Sequence, residues 1–210
     1  MKTADKDTYK TLLKPTEEVL YKDRNSKFYG YAFPLTSEAE VGVLLGELAT
    51  RHRKASHLCY AWQWGVQQPY HRVNDDGEPT HSAGMPIYGQ IQSFGLTNVL
   101  LAVIRIYGGT KLGVGGLIQA YRATAKMALD SAEIITKTLQ QEYELNFDYP
   151  KLNRVLKILK HPGVTVVKQE MQRHCTFHIA VRHEKAEKTE ELMRNIPGVS
   201  ITKVLTIQFF

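Results

Sequence analysis

The sequence has 210 residues, 43% of them hydrophobic and 23% charged, which allows one large domain or two modest ones, each with a core. Lys and Arg outnumber Asp and Glu by 27 to 21, so the net charge is +6, a balance that weakly favours an RNA or ribosome partner. The longest apolar run, Val99–Ile106, is far shorter than the ~20 residues that span a bilayer. The polar N-terminus lacks the apolar core of a signal peptide, so we expect a cytoplasmic protein with no membrane partner.

The first part of the chain predicts strands and helices that alternate. Val41, Leu44, Leu45 and Leu48 recur at helical spacing and form one apolar face. The predicted elements, in chain order, are a hairpin (17–22 and 27–33), that helix, a strand (57–64), a loop (74–86), a short helix (86–94), a strand (99–106) and a long helix (117–138).

The last 70 or so residues predict the order β-α-β-β-α-β, which is the ferredoxin-like pattern. The predicted elements are strands at 142–147, 164–170, 176–182 and 201–209, a helix capped by Asp148 and stopped by His161-Pro162-Gly163, and a helix at 184–195. We therefore expect an α+β protein with two domains, residues 1–138 and residues 139–210. The two cysteines, Cys59 and Cys175, lie far apart in the sequence, which favours reduced thiols.

A loop with five glycines follows the apolar strand and precedes the long helix. The glycines are Gly108, Gly109, Gly113, Gly115 and Gly116. Backbone N–H groups converge at such a helix N-terminus and bind anions, and Arg105 and Lys111 add positive charge. The loop is neither a Walker A motif nor a dinucleotide fingerprint. It is a candidate site for an anion or an RNA backbone; the alternative is that the glycines only permit tight turns and close packing.

Two further groups of residues are candidate sites. Asp75, Asp76 and Glu78 place three carboxylates within four residues, suited to Mg²⁺ or to acid–base chemistry, or else to an ordinary turn in which Asp binds backbone amides. Tyr60, Trp62 and Trp64 share one strand face, which stacks single-stranded RNA if exposed and joins the core if buried. The nearby cations that would contact phosphate are Arg51, Arg53 and Lys54.

A series of motifs resembles the YigZ/IMPACT family in its bacterial, two-domain form. The matching pieces are Tyr29-Gly30-Tyr31-Ala32-Phe33-Pro34, His57-Leu58-Cys59-Tyr60-Ala61, Asp75-Asp76-Gly77-Glu78-Pro79, Gly95-Leu96-Thr97-Asn98-Val99, Arg105-Ile106-Tyr107-Gly108-Gly109, Lys111-Leu112-Gly113 and Gly115-Gly116-Leu117. The resemblance implies an N-terminal domain similar to the second domain of a small-subunit ribosomal protein. It also implies a ferredoxin-like C-terminal domain similar to one in elongation factor G.

The resemblance and the mild basicity favour a non-catalytic regulatory protein linked to translation, with RNA, the ribosome or a translation factor as partner. No catalytic residue, metal ligand or cofactor is assigned. The alternative is an enzyme that binds a phosphorylated small molecule or a nucleotide, with Mg²⁺ held near the glycine loop by Asp75, Asp76 or Glu78. A third hypothesis is a module that binds a protein partner through a sheet edge.

Overall fold

The structure is a computed structural model that describes residues 7–204. Within this range the chain is mixed α/β, with three sheets, and it divides into two compact units. The larger unit is Tyr9–Lys137, and the smaller combines residues 7–8 with residues 138–204. Among the described residues, no helix has both the length and the apolar character needed to cross a membrane.

The larger unit is built on a five-stranded antiparallel sheet with the strand order β2-β3-β6-β4-β5. Its strands are β2 (Val19–Asp23), β3 (Ser26–Pro34), β4 (His57–Trp64), β5 (Tyr70–Asn74) and β6 (Val99–Ile106). Its helices are α1 (Glu40–Arg51), α2 (Gly84–Phe94) and α3 (Gly113–Asp130). A two-residue turn joins β2 to β3, with Arg24 at φ 42° and Asn25 at φ 67°, the left-handed conformations that such a hairpin requires.

Both faces of this sheet are covered, which explains the unbroken apolar run of β6. Leu101 and Val103 pack in the core formed with α2 and α3. Leu100 and Ile104, on the alternate positions, pack on the opposite face, where α1 contributes Val41 and Leu48 to two smaller clusters. The sheet therefore lies between two helical layers.

The predicted long helix at 117–138 is wrong at both ends. α3 already begins at Gly113 and ends at Asp130, and β7 (Ile134–Thr138) follows it and pairs with β1 (Thr8–Leu12). Neither β1 nor β7 was predicted, and β5 was also missed. Most residues of β5 and β7 are exposed, so these short strands carry no apolar run or clean alternation that would identify them.

The smaller unit has the element order β-α-β-β-α-β and one antiparallel four-stranded sheet, β11-β8-β10-β9. Its elements are β8 (Gln140–Asp148), α4 (Leu152–Leu159), β9 (Val164–Met171), β10 (His174–Arg182), α5 (His183–Arg194) and β11 (Val199–Lys203). Val155 and Met193 from the two helices pack with alternate residues of the sheet, such as Phe177. The predicted last strand, 201–209, runs beyond the described residues; β11 begins two residues earlier than predicted.

Candidate anion-binding site

A cavity of about 410 Å³ opens at the end of β6 in the larger unit. It brings together the glycine loop and the acidic loop, which are more than 20 residues apart in the sequence. Its lining residues are His57, Glu78, Pro79, Arg105, Tyr107, Lys111, Leu112, Gly113, Val114 and Leu117. Three predicted site side chains, Glu78, Arg105 and Lys111, therefore share one cavity.

Arg105 and Glu78 form a buried ion pair in the wall of this cavity. The Arg105 Nη1 donates to Glu78 Oε1 at 2.7 Å, and the two side chains are only 7% and 4% exposed. The guanidinium carbon lies 5.6 Å from the ring centre of Phe28 and 5.3 Å from that of Tyr107. The Arg105 Nε has no hydrogen-bond partner among residues 7–204. Arg105 thus retains an unused donor in spite of its pairing.

Glu78 accepts a second hydrogen bond inside the protein. The Tyr121 hydroxyl donates to Glu78 Oε1 at 2.8 Å, and the Cys59 thiol donates to the Tyr121 oxygen at 3.3 Å. Burial raises the pKa of Tyr121 and that of Cys59 far above their ordinary values. Both groups therefore keep their protons at neutral pH, and Cys59 is a poor nucleophile there.

The two aspartates of the acidic loop have a structural role. The Asp75 carboxylate accepts from the backbone N–H groups of Ala83 at 3.0 Å and Gly84 at 2.8 Å, next to the start of α2. The Asp76 carboxylate accepts from the Leu58 N–H at 2.6 Å. These hydrogen bonds match the alternative in which the aspartates stabilise a turn by binding backbone amides. Of the three carboxylates, only Glu78 lines the cavity. Across residues 7–204, no group of three His, Cys, Asp or Glu side chains is placed to hold a metal ion.

The glycines of the predicted loop have different physical roles. A Cβ on Gly108 would lie 2.1 Å from the carbonyl carbon of Asn25, so packing alone requires glycine there. Gly113 has φ 73°, which favours glycine, whereas a Cβ on Gly115 would meet nothing within 4 Å. Gly113, Gly115 and Gly116 lie in the first turn of α3, which has no side-chain cap. The N–H groups of that turn are available to a ligand beside the cavity.

Comparison with known proteins supports the family that the motifs indicated. The family model described as the Impact N-terminal domain matches residues 24–129. The "IMPACT family member in pol 5'region" of Thermus thermophilus is 36% identical over 137 residues, which is 65% of this chain and 73% of that protein. This chain belongs to the IMPACT family.

A second relative supports the family, and a solved structure shows the same fold. The "IMPACT family member YigZ" of Escherichia coli strain K12 is 31% identical over 132 residues, covering 62% of this chain and 65% of that protein. A solved structure described as "Crystal structure of an hypothetical protein" has a TM-score of 0.68 and 24% identity, covering 94% of this chain and 98% of that one. Every residue that lines the cavity lies within the part matched by the family model.

His57 is a polar group of the IMPACT-family cavity that was not among the predicted binding residues. Its Nδ1 lies 2.7 Å from the carbonyl oxygen of Asp76, so this nitrogen carries a proton and donates it. The other nitrogen, Nε2, lies 3.9 Å from Glu78 Oε1. The pairing of β4 with β6 places His57 directly opposite Arg105. This register, which the spacing of residues does not reveal, brings His57 to the predicted site.

The aromatic stripe of β4, formed by Tyr60, Trp62 and Trp64, does not provide a stacking surface in this IMPACT-family chain. Trp62 is only 4% exposed and packs with Val41 of α1, while Tyr60 and Trp64 are half-buried in the same cluster. The two alternatives for this face were an exposed stacking surface and a place in the core, and the structure places it in the core. The predicted cations beside it, Arg51, Arg53 and Lys54, remain exposed at the end of α1.

Proposed function

We propose that this IMPACT-family chain is a non-catalytic binding protein that holds a phosphate group of RNA in the cavity. One observation carries the proposal: Arg105, Lys111 and the uncapped N-terminus of α3 meet at the same cavity. Phosphate is the anion that Arg side chains, Lys side chains and helix N-termini bind together most often in nucleic-acid recognition.

The charges around the cavity favour an anion even though Glu78 lies there. The Arg105 guanidinium balances the Glu78 carboxylate at 2.7 Å, so the pair contributes little net charge. Lys111 adds one exposed positive charge, and the N-terminus of α3 adds about half a charge of the same sign. The cavity is therefore positive overall before any ligand enters.

The link with translation is part of this proposal and is supported by family membership alone. The resemblance of the motifs to the YigZ/IMPACT family implies a regulator that meets RNA, the ribosome or a translation factor, and a cytoplasmic location fits such partners. We also propose the names of the two folds on that basis, with domains at 1–138 and 139–210. The first is similar to the second domain of a small-subunit ribosomal protein, and the second is ferredoxin-like, which agrees with its strand order.

RNA binding by charge-reversal variants tests the proposal. Lys111→Glu is compared with Lys14→Glu, the same change at an exposed lysine that does not line the cavity. Lys14 follows Leu13, whose N–H donates to the oxygen of Glu133, beyond the C-terminal end of α3, at 2.9 Å. Fluorescence anisotropy with a 3′-labelled single-stranded RNA measures affinity at several salt concentrations. We expect Lys111→Glu to weaken binding at least about tenfold and to reduce the salt slope by about 1. Equal losses in both variants, or wild-type binding no tighter than that of a neutral control protein, would contradict the proposal.

A second candidate function, an enzyme acting on a phosphorylated ligand, is favoured by one observation. His57 Nε2 and Glu78 line the same cavity and form a candidate acid–base pair. It ranks second because the three carboxylates predicted to hold Mg²⁺ are already engaged. Asp75 and Asp76 accept hydrogen bonds from backbone N–H groups, and Glu78 pairs with Arg105. A thermal-shift panel of nucleotides with and without Mg²⁺ tests it, since a ligand at 100 times its Kd stabilises by about 2.7 kcal/mol.

A further inference from the structure

We infer that the cavity is built for a single terminal nucleotide, with a phosphomonoester beside α3 and the base against Tyr107. The inference rests on the proposed function in taking this cavity as the phosphate site. Its volume of about 410 Å³ lies near the lower end of the roughly 300–1,000 Å³ that small-molecule sites occupy. That space suits one nucleotide unit and not a run of several.

The polar side of the cavity offers more donors than an internal phosphodiester uses. The guanidinium of Arg105 lines the cavity, Lys111 is exposed, and the first turn of α3 adds uncapped N–H groups. A terminal phosphomonoester has three free oxygens and up to two negative charges, whereas a diester has two free oxygens and one charge. The excess of donors therefore favours a chain end or a free nucleotide.

The acceptors in the cavity fit the sugar of the same ligand. Glu78 Oε1 and His57 Nε2 lie 3.9 Å apart in the cavity wall. Glu78 Oε1 already accepts from Arg105 and Tyr121, whereas Oε2 takes part in neither bond. A nearby acidic residue that accepts from ribose hydroxyls is a common arrangement in nucleotide sites. A ribose next to the phosphate would donate a hydroxyl hydrogen bond to the Glu78 Oε2.

The apolar side of the cavity fits a base. Tyr107 is 44% exposed and Val114 is 52% exposed. The Tyr107 ring and the Val114 methyl groups are therefore not packed in the core. The Tyr107 ring lies next to the Arg105 guanidinium, at 5.3 Å, which places a stacking surface beside the phosphate donors. Exposed aromatic side chains beside cations are what bind the bases of single-stranded RNA.

Four probes and two variants test the inference. The probes are an oligoribonucleotide with a 5′-phosphate, the same oligonucleotide with a 5′-hydroxyl, AMP and inorganic phosphate, each titrated into the full chain by calorimetry. Tyr107→Ala removes the ring, and Tyr107→Phe retains it as the matched control. We expect the 5′-phosphate to tighten RNA binding about tenfold or more, and AMP to bind more tightly than phosphate. Tyr107→Ala should lose about tenfold in affinity for the 5′-phosphorylated oligonucleotide and for AMP, and Tyr107→Phe should lose little affinity for either.

The outcomes separate this inference from the proposed function. AMP binding without RNA binding would support the inference, identify a free nucleotide as the ligand and contradict the RNA proposal. Equal affinity for the two oligonucleotides, with loss in Lys111→Glu, would overturn the inference and leave the RNA proposal standing. Inorganic phosphate binding as tightly as AMP, or full affinity for the 5′-phosphate RNA and AMP in Tyr107→Ala, would also overturn it, because the base would then contribute nothing.

Discussion

The cavity and the aromatic stripe of β4 belong to the same unit and both combine aromatic with polar side chains, yet their exposure is opposite. In the stripe, Trp62 is buried and the cations lie apart from it on the surface. In the cavity, the charged Arg105 and Glu78 are buried while Tyr107 and Val114 are exposed. Buried charges beside exposed apolar groups reverse the usual distribution, and such a reversal marks sites that bind ligands.

Trp62→Ala gives the largest effect that separates the two regions. Because Trp62 is 4% exposed in a packed cluster, we expect the free energy of unfolding to fall by roughly 3–5 kcal/mol in urea denaturation. The folded fraction should bind RNA as the wild type does. Tyr107→Ala should change stability by less than about 1 kcal/mol. A tenfold loss of RNA affinity in Trp62→Ala with unchanged stability would make the stripe the binding surface.

Glu78→Ala tests whether the buried Arg105–Glu78 pair stabilises the fold in addition to its role in the binding site. Removing one partner leaves Arg105 charged and buried, so we expect a loss of about 3 kcal/mol in urea denaturation. Lys126→Ala breaks the exposed Lys126–Asp130 pair of α3 and should cost less than about 0.5 kcal/mol. Similar small losses in both variants would show that water screens the Arg105–Glu78 pair.

Two glycine substitutions give smaller effects of opposite sign. Gly108→Ala should destabilise the protein by about 1–3 kcal/mol, because its Cβ would lie 2.1 Å from backbone. Gly115→Ala should stabilise α3 by up to about 1 kcal/mol, because the new methyl group meets nothing within 4 Å. The same methyl group would obstruct a ligand that approaches the first turn. In Gly115→Ala the melting temperature should therefore rise while the affinity for RNA falls. Tighter RNA binding by this variant would contradict a binding site at the first turn of α3.

The sequence predicted the strands that contain an apolar run better than those that lack one. β4 and β6 have the predicted bounds because each is framed by turn signals and dense in apolar residues. β5 and β7 were missed because their residues face solvent and carry no periodic signal. The family match confirms the resemblance that the motifs gave.

The candidate site was predictable only in part. Arg105, Lys111 and Glu78 were identified from local composition, and the structure places all three in one cavity. His57 required the cross-strand register with Arg105, which depends on the folded sheet. Tyr107 could be identified only from its exposure in the folded protein. In the sequence, an aromatic residue after a buried strand is as compatible with the core as with a binding surface.

The most direct test of the account is a titration of unlabelled 5′-phosphorylated RNA into ¹⁵N-labelled protein, followed by NMR. We expect the backbone amide signals of Gly113, Val114 and Gly115 to shift progressively, because the phosphate would lie against the first turn of α3. The indole N–H of buried Trp62 should stay in place. Shifts confined to Arg51, Arg53 and the β4 stripe, with the first turn of α3 unchanged, would contradict the cavity as the binding site.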